Sequence, residues 1–259
     1  MSGRSSVEEA RPAMPVDDMS LVATTQILAV EVRGLKKSYG LKPILRGIDF
    51  ALQQGQQMAL LGANGAGKTT ILRILAGLSR PSAGTIHVTG IDLLRDAQHV
   101  RQHVGLVAHQ PYLYEELTVV ENLLFFARMY AVARAQERVQ ELVERLGLEK
   151  RARERVGSLS RGQVQRLAWA RALVHDPHLL LLDEPDTGLD QEGQRIINDL
   201  LSEHRTRGGS VIFTTHQLEQ ALALSDSIVM LRHGRIAYRQ DSAALTIQEL
   251  QEAYGEAVR

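Results

Sequence analysis

The chain has no cysteine. That excludes disulfides, thiolate metal sites and a Cys-x-x-Cys-His haem attachment. It has no surplus of either charge, with Lys plus Arg at 30 and Asp plus Glu at 30. General electrostatics therefore give no reason to expect binding to nucleic acid or to an anionic lipid surface. No apolar run approaches the roughly 18 residues needed to cross a bilayer, and the N-terminus lacks the basic-then-apolar order of a secretory signal. The expectation is a chain that is soluble by itself and works in the cytoplasm. No internal repeat is visible, and the nine histidines show no haem-ligand arrangement and read as surface residues. At 259 residues the chain is long enough to bury a full core, as one domain or one domain with a subdomain.

What is present centres on Gly62-Ala63-Asn64-Gly65-Ala66-Gly67-Lys68-Thr69, followed by Thr70. It fits the phosphate-binding pattern G-x-x-x-x-G-K-[ST]. Chance produces that pattern in about one chain in a hundred of this length. The flanks strengthen it. Met58-Ala59-Leu60-Leu61 is a short apolar run suited to a buried strand, and Ile71, Leu72, Ile74, Leu75 and Leu78 recur at helical spacing. Glycines let successive backbone N–H groups converge on phosphate oxygens, and the helix N-terminus adds partial positive charge. Lys68 is expected to reach the β- and γ-phosphates, and the Thr69 hydroxyl to sit on Mg²⁺. No Asn-Lys-x-Asp base-reading motif accompanies the loop, since Asn64, Asn122 and Asn198 have other followers. That counts against a GTPase.

Residues 1 to 25 mix Ser, Glu, Pro, Asp and Met without period and read as a flexible tail. Leu28, Val30 and Val32 alternate like an edge strand, and Ile48, Phe50 and Leu52 like another. Gly84 to Val88 and Val104 to Val107 are further strands. From about Thr118 to Ala172 the character is helical; Val139, Leu142, Val143 and Leu146 fall on one helix face and Gly147 offers a stop. Leu179–Leu182, Val211–Thr214 and Ile228–Leu231 are strands separated by helical spacers. Such alternation predicts an α/β fold with a mostly parallel sheet, and a helical block inserted in it. From Ser242 a small helix is appended.

Further stretches then appear in a fixed order around the loop. Leu159-Ser160-Arg161-Gly162-Gln163 reads as a Ser-capped helix start. Leu179–Leu182 runs into Asp183-Glu184-Pro185, and a buried strand ending in two carboxylates is hard to justify unless they are paired or functional. Asp186-Thr187-Gly188-Leu189-Asp190 follows. His216 ends another core strand, Gln110 ends Val104–Val107, and Tyr39 lies ahead of the loop in a chain with only 4% aromatics. Together these resemble the nucleotide-binding subunits of ATP-binding-cassette (ABC) transporters over about residues 27 to 240. The signature of that family is L-S-G-G-Q, and this chain departs from it at Arg161. Asp186 also departs, standing where an aromatic residue or threonine is expected.

The resemblance implies a RecA-like P-loop NTPase with an antiparallel edge subdomain. The ATP-binding domain would be residues 26–240, its helical subdomain about 112–172, and the appendage 241–259. It implies that Asp183 binds Mg²⁺ through water, that Glu184 polarises the attacking water, and that His216 hydrogen-bonds the γ-phosphate and holds Glu184 in line. Gln110 would touch Mg²⁺ or the water, Tyr39 would stack on adenine, and Asp190 would lie at a subunit junction. Because Ser160 is on the inserted block, each site would be completed by the signature of a partner. The active form would be a head-to-tail pair sandwiching two ATP molecules. Separate integral membrane subunits would dock near Gln110, at the cytoplasmic side of the inner membrane. The stretch from His109 to Thr118 and the signature look most like the ATPase of the haem exporter of cytochrome c maturation. Drug, polysaccharide or lipid exporters are the alternative cargo class, and a soluble cassette acting on ribosomes or DNA is a distant one.

Overall fold

The computed structural model describes residues 27–258. The expected tail over residues 1 to 25 lies outside them. Two sheets organise the chain. In the first, β1 (Leu28–Tyr39) is flanked by β2 (Lys42–Gln53) and β4 (Ala83–Val88), all antiparallel, with the short β5 (Ile91–Asp92) beyond β4. The alternation in Leu28–Val32 suggests an edge strand. Instead β1 is interior, since both of its hydrogen-bonding edges are used. One-sided burial produces the same alternation in an edge or a central strand, and only the pairing separates them.

The second sheet has the order β10-β9-β3-β8-β7-β6. Here β3 (Gln57–Gly62), β6 (Val104–Val107), β7 (Leu179–Asp183), β8 (Ser210–Thr214) and β9 (Ser227–Arg232) run parallel, and β10 (Arg235–Asp241) closes one edge antiparallel. The parallel strands are buried on both faces, so their sequences are largely continuous apolar runs. Their alternate residues enter two different cores. Met58, Leu60, Leu179, Leu181, Ile212 and Val229 face β1, β2, β4 and the helix α1 (Lys68–Leu75). Ala59, Leu61, Leu180, Leu182, Val211 and Phe213 face the opposite side.

That second side is covered by helices. They are α3 (Val119–Met129), α4 (Ala135–Arg145), α5 (Arg161–Leu173), α6 (Gln191–Thr206), α7 (Leu218–Leu224) and α8 (Ile247–Val258), while α2 (Ala97–Gln102) leads into β6. Local chemistry sets several of their ends. Thr118 with Glu121 and Ser160 with Gln163 each form a capping box at the starts of α3 and α5. Gly147, at φ 64°, turns the chain out of α4, with Leu148 N–H returning to Val143 O. The segment from Ser242 is indeed helical, and its Leu250 is fully buried in the helical-side core.

Candidate nucleotide site

The phosphate loop joins β3 to α1, and its geometry depends on two glycines. Gly62 has φ 137°, and a Cβ there would stand 2.4 Å from Leu231 O of the neighbouring strand. Gly67, the N-cap of α1, has φ 113°, and a Cβ would meet Leu45 at 2.6 Å. Between them Ala66 N–H closes on Ala63 O at 3.1 Å, and Ala66 is buried. Lys68 donates from Nζ to Gly62 O (2.6 Å) and Ala63 O (3.2 Å), bending back over its own loop. Burial lowers its pKa, while Glu184 and Asp183 oppose that shift. The ammonium is thus held by carbonyls beside two carboxylates, a placement from which it can turn to an anion.

Thr69, one residue on, donates to Asp183 Oδ2 at 2.7 Å, and Thr214 donates to Asp183 Oδ1 at 2.8 Å. The same Thr214 hydroxyl accepts the Glu184 N–H at 3.0 Å. Glu184 takes a left-handed backbone, φ 52°, which is uncommon outside glycine and re-aims its side chain as the strand ends. Its Oε1 lies 2.6 Å from His216 Nε2. Three segments distant in sequence therefore meet at one point. A pocket of about 210 Å³ is lined by Asn64, Gly65, Gly67, Lys68, Thr69, Thr70, Asp183, Glu184 and also Tyr39. Tyr39 is 51% exposed, with Lys37 Nζ 4.7 Å from its ring centroid. The hydroxyl and carboxylate at the pocket floor offer oxygen donors only, a set suited to a hard cation such as Mg²⁺.

The signature stretch lies elsewhere. Leu159 is half-buried, Ser160 and Arg161 are exposed, and none of residues 159–163 lines the phosphate-loop pocket. Arg161 instead lines a cleft of about 520 Å³ together with His109, Pro111, Asp183, Glu184 and Thr187. Its side chain lies against Gly188, whose Cβ position would be 3.1 Å from Arg161 Nε. Gly162 passes equally close, 3.0 Å from a Cβ to Gly188 O. Asp190 caps α6 by accepting from Gly193 N–H at 2.8 Å. Gln110 is exposed and lines neither cavity, although its neighbours His109 and Pro111 face the cleft. Asp186 has a partner that the sequence does not announce, the side chain of Gln217 at 3.2 Å.

The family model for ABC transporters matches residues 45–187. Nod factor export ATP-binding protein I of Rhizobium sp. (strain N33) is 41% identical over 210 residues, spanning 80% of this chain and 69% of that protein. The chain belongs to the ABC transporter family as an ATP-binding subunit. ABC transporter ATP-binding protein NatA of Bacillus subtilis (strain 168) is 37% identical over 198 residues, 75% of this chain and 80% of that one. Among solved structures, a dimeric ATP-binding cassette in a post-hydrolysis state, bound to ADP and Pi, matches with TM-score 0.77 and 26% identity. The match covers 83% of this chain and 100% of that chain. The protein is thus an ABC-type ATPase with the α/β P-loop NTPase fold.

Three residues of this ABC subunit escape sequence reading. Thr214 links the Asp183 carboxylate to the Glu184 backbone N–H, as described. Gln165 and Trp169, on successive turns of α5, donate to Pro185 O at 3.0 and 3.3 Å and so hold the segment after Glu184 against the signature helix. The spacing of Gln165 and Trp169 marks one helix face, but nothing local says what that face meets.

Beside β6 runs an apolar groove of about 220 Å³ lined by Leu78, Tyr112, Phe126, Met129, Tyr130 and, at its floor, Arg171 and His175. His175 stacks on Tyr130 with ring centroids 4.0 Å apart. Its Nε2 contacts Val104 O at 3.1 Å, and its Nδ1 is buried without a partner. Protonating Nδ1 would place charge where nothing accepts it, and burial pushes the His175 pKa down to about 4. The unfolded chain takes up that proton near the ordinary 6.5. The unfolded state therefore binds more protons between those values, and stability falls as pH drops through that window. The loss from this residue is of the order of 3 kcal/mol. His103 and His204, also lowered chiefly by burial, act in the same direction. Urea unfolding between about pH 7 and about pH 4 should show the decline, and His175→Gln should flatten part of it. An unchanged slope in that variant would reject the assignment.

Proposed function

We propose that this ABC ATPase drives an exporter through separate membrane subunits, working as a head-to-tail pair that sandwiches two ATP molecules. The observation that carries the pairing is the separation within one chain: phosphate-loop residues line one pocket, and residues 159–163 do not reach it. In this reading Lys68 and the loop N–H groups hold the phosphates, and Tyr39 stacks on adenine. Thr69 and Asp183, with Gln110, hold Mg²⁺, which neutralises phosphate charge. Glu184 polarises the attacking water, and His216 keeps Glu184 in position. The partner contributes Ser160 and its neighbours, and Asp190 lies at the junction. Gln110 is exposed here, so its approach belongs to the closed, loaded state.

The apolar groove beside β6 is where a membrane subunit would press, because it adjoins the segment that carries Gln110. Among the described residues no helix is long and apolar enough to cross a membrane; in this reading the membrane subunits hold the chain peripherally, at the cytoplasmic side of the inner membrane. For cargo, the relatives named for Nod factor export support the general exporter class. Haem export keeps only the resemblance in His109–Thr118 and the signature, and draws no support from these relatives.

The absence of cysteine makes the pairing directly testable. With Asn64→Cys and Arg161→Cys introduced into a Glu184→Gln background, a bifunctional thiol reagent should join two chains only when ATP is present. Cross-linking at the same yield without nucleotide, or none with it, would defeat the head-to-tail arrangement. Co-purification of the membrane subunits then identifies the exporter.

A further inference from the structure

Five of the histidines gather at the end of the sheet opposite the nucleotide. His103 caps the end of α2 and immediately precedes β6, and His178 immediately precedes β7. The backbone pins them together, since His178 N–H and Leu179 N–H both donate to His103 O at 3.0 Å. His99 lies one helical turn before His103, and His175 and His204 feel the charge of His103 and His178 respectively. The Nδ1 atoms of His103 and His178 are 3.2 Å apart. Their ring centroids are separated by 5.1 Å, as are those of His99 and His103.

These separations have a specific meaning. Two imidazole nitrogens bound to tetrahedral Zn²⁺ at about 2.0–2.1 Å stand about 3.3 Å apart, with ring centroids about 5.2 Å apart. We propose that His103 and His178 form a two-nitrogen clamp for a borderline divalent transition-metal ion, Zn²⁺ being the representative case. Water fills the remaining positions, or the imidazole of His99, which shares a helix face with His103 at i, i+4 spacing and reaches the ion by turning its ring. Among the described residues no three such groups already surround a common point, so the clamp is the pair, and the third imidazole closes on the ion after it arrives. Two neutral imidazoles with facing Nδ1 atoms share a single proton between them; a cation replaces that proton and uses both lone pairs. Burial and the two neighbouring imidazoles hold the His103 pKa below its ordinary value, which keeps the ring in the neutral, ligating form near neutral pH.

The clamp is separate from the nucleotide site. It lies before β7, and Asp183 ends that strand, a span of about 16 Å at the usual rise per residue. An ion there would brace α2 and β6 against β7. Because β6 leads at its other end to His109 and Gln110, the brace acts on the strand that carries those residues.

Zn²⁺ titration of the full chain, free of nucleotide and Mg²⁺, tests the clamp by calorimetry. One saturable site of micromolar affinity is expected. His103→Ala and His178→Ala should each weaken it by roughly tenfold or more. His87→Ala, on the other sheet, should not. Zn²⁺ should also raise the thermal midpoint of the wild type and leave both clamp variants unmoved, while their ATP affinity remains that of the wild type. Absence of saturable binding, binding that survives both clamp variants, or equal loss in His87→Ala would each overturn the proposal.

Discussion

Glu184→Gln is expected to bind ATP as the wild type does, to turn over roughly 10²–10⁴-fold more slowly, and to accumulate as an ATP-bound dimer. The substitution is nearly isosteric, so it leaves the scaffold of the residue intact. The Glu184 N–H still donates to Thr214 Oγ1, and the left-handed backbone at φ 52° is unchanged. An amide oxygen can also still accept from His216 Nε2, which lies 2.6 Å from Oε1 in the wild type. What disappears is the carboxylate, the only property that lets this side chain take a proton from water. Steady-state phosphate release, with size exclusion in ATP, reads both halves of the expectation. Normal hydrolysis in this variant would remove Glu184 from the reaction.

Lys68→Ala should fail earlier, at binding. The side chain holds Gly62 O and Ala63 O, so its removal takes both a charge and the fastening that keeps the loop curled over α1. Charge-assisted hydrogen bonds are each worth about 1.5–3 kcal/mol, so nucleotide affinity should fall by roughly one to two orders of magnitude. Asp183 and Glu184 would then face the phosphates without a nearby cation, which deepens the loss. Equilibrium binding of a fluorescent ATP analogue measures it. Wild-type affinity would mean that the backbone cradle and helix terminus suffice and that the lysine has another task. The two variants separate the site into its parts, because one should bind normally and turn over slowly and the other should bind weakly.

Much of this site is legible in the amino-acid sequence. The phosphate loop, the strand running into Asp183 and Glu184, and His216 after its strand are short, contiguous patterns, and each carries its chemistry locally. Capping boxes at Thr118 and Ser160 are equally readable, because an N-cap and its partner are three residues apart. Reading fails where the partner lies far along the chain. Thr214 looks like the last residue of an apolar strand, yet it bonds Asp183 across 31 positions. Asp186 has no evident purpose until Gln217 meets it. Leu28–Val32 indicates the right strand and the wrong place in the sheet.

The order of local patterns by itself determined the family, the α/β alternation, the inserted helices and the identity of the candidate catalytic groups, because hydrophobic period and motif spacing are properties of neighbours. Tertiary structure alone decided that Thr69 of α1 and Thr214 of β8 share the Asp183 carboxylate, that residues 159–163 stay outside their own phosphate-loop pocket, and that His103 and His178, 75 positions apart, face each other. Strand order sets those meetings. It emerges from burying both faces of the parallel sheet at once, a condition that acts on the whole chain and leaves no mark in any one window of sequence.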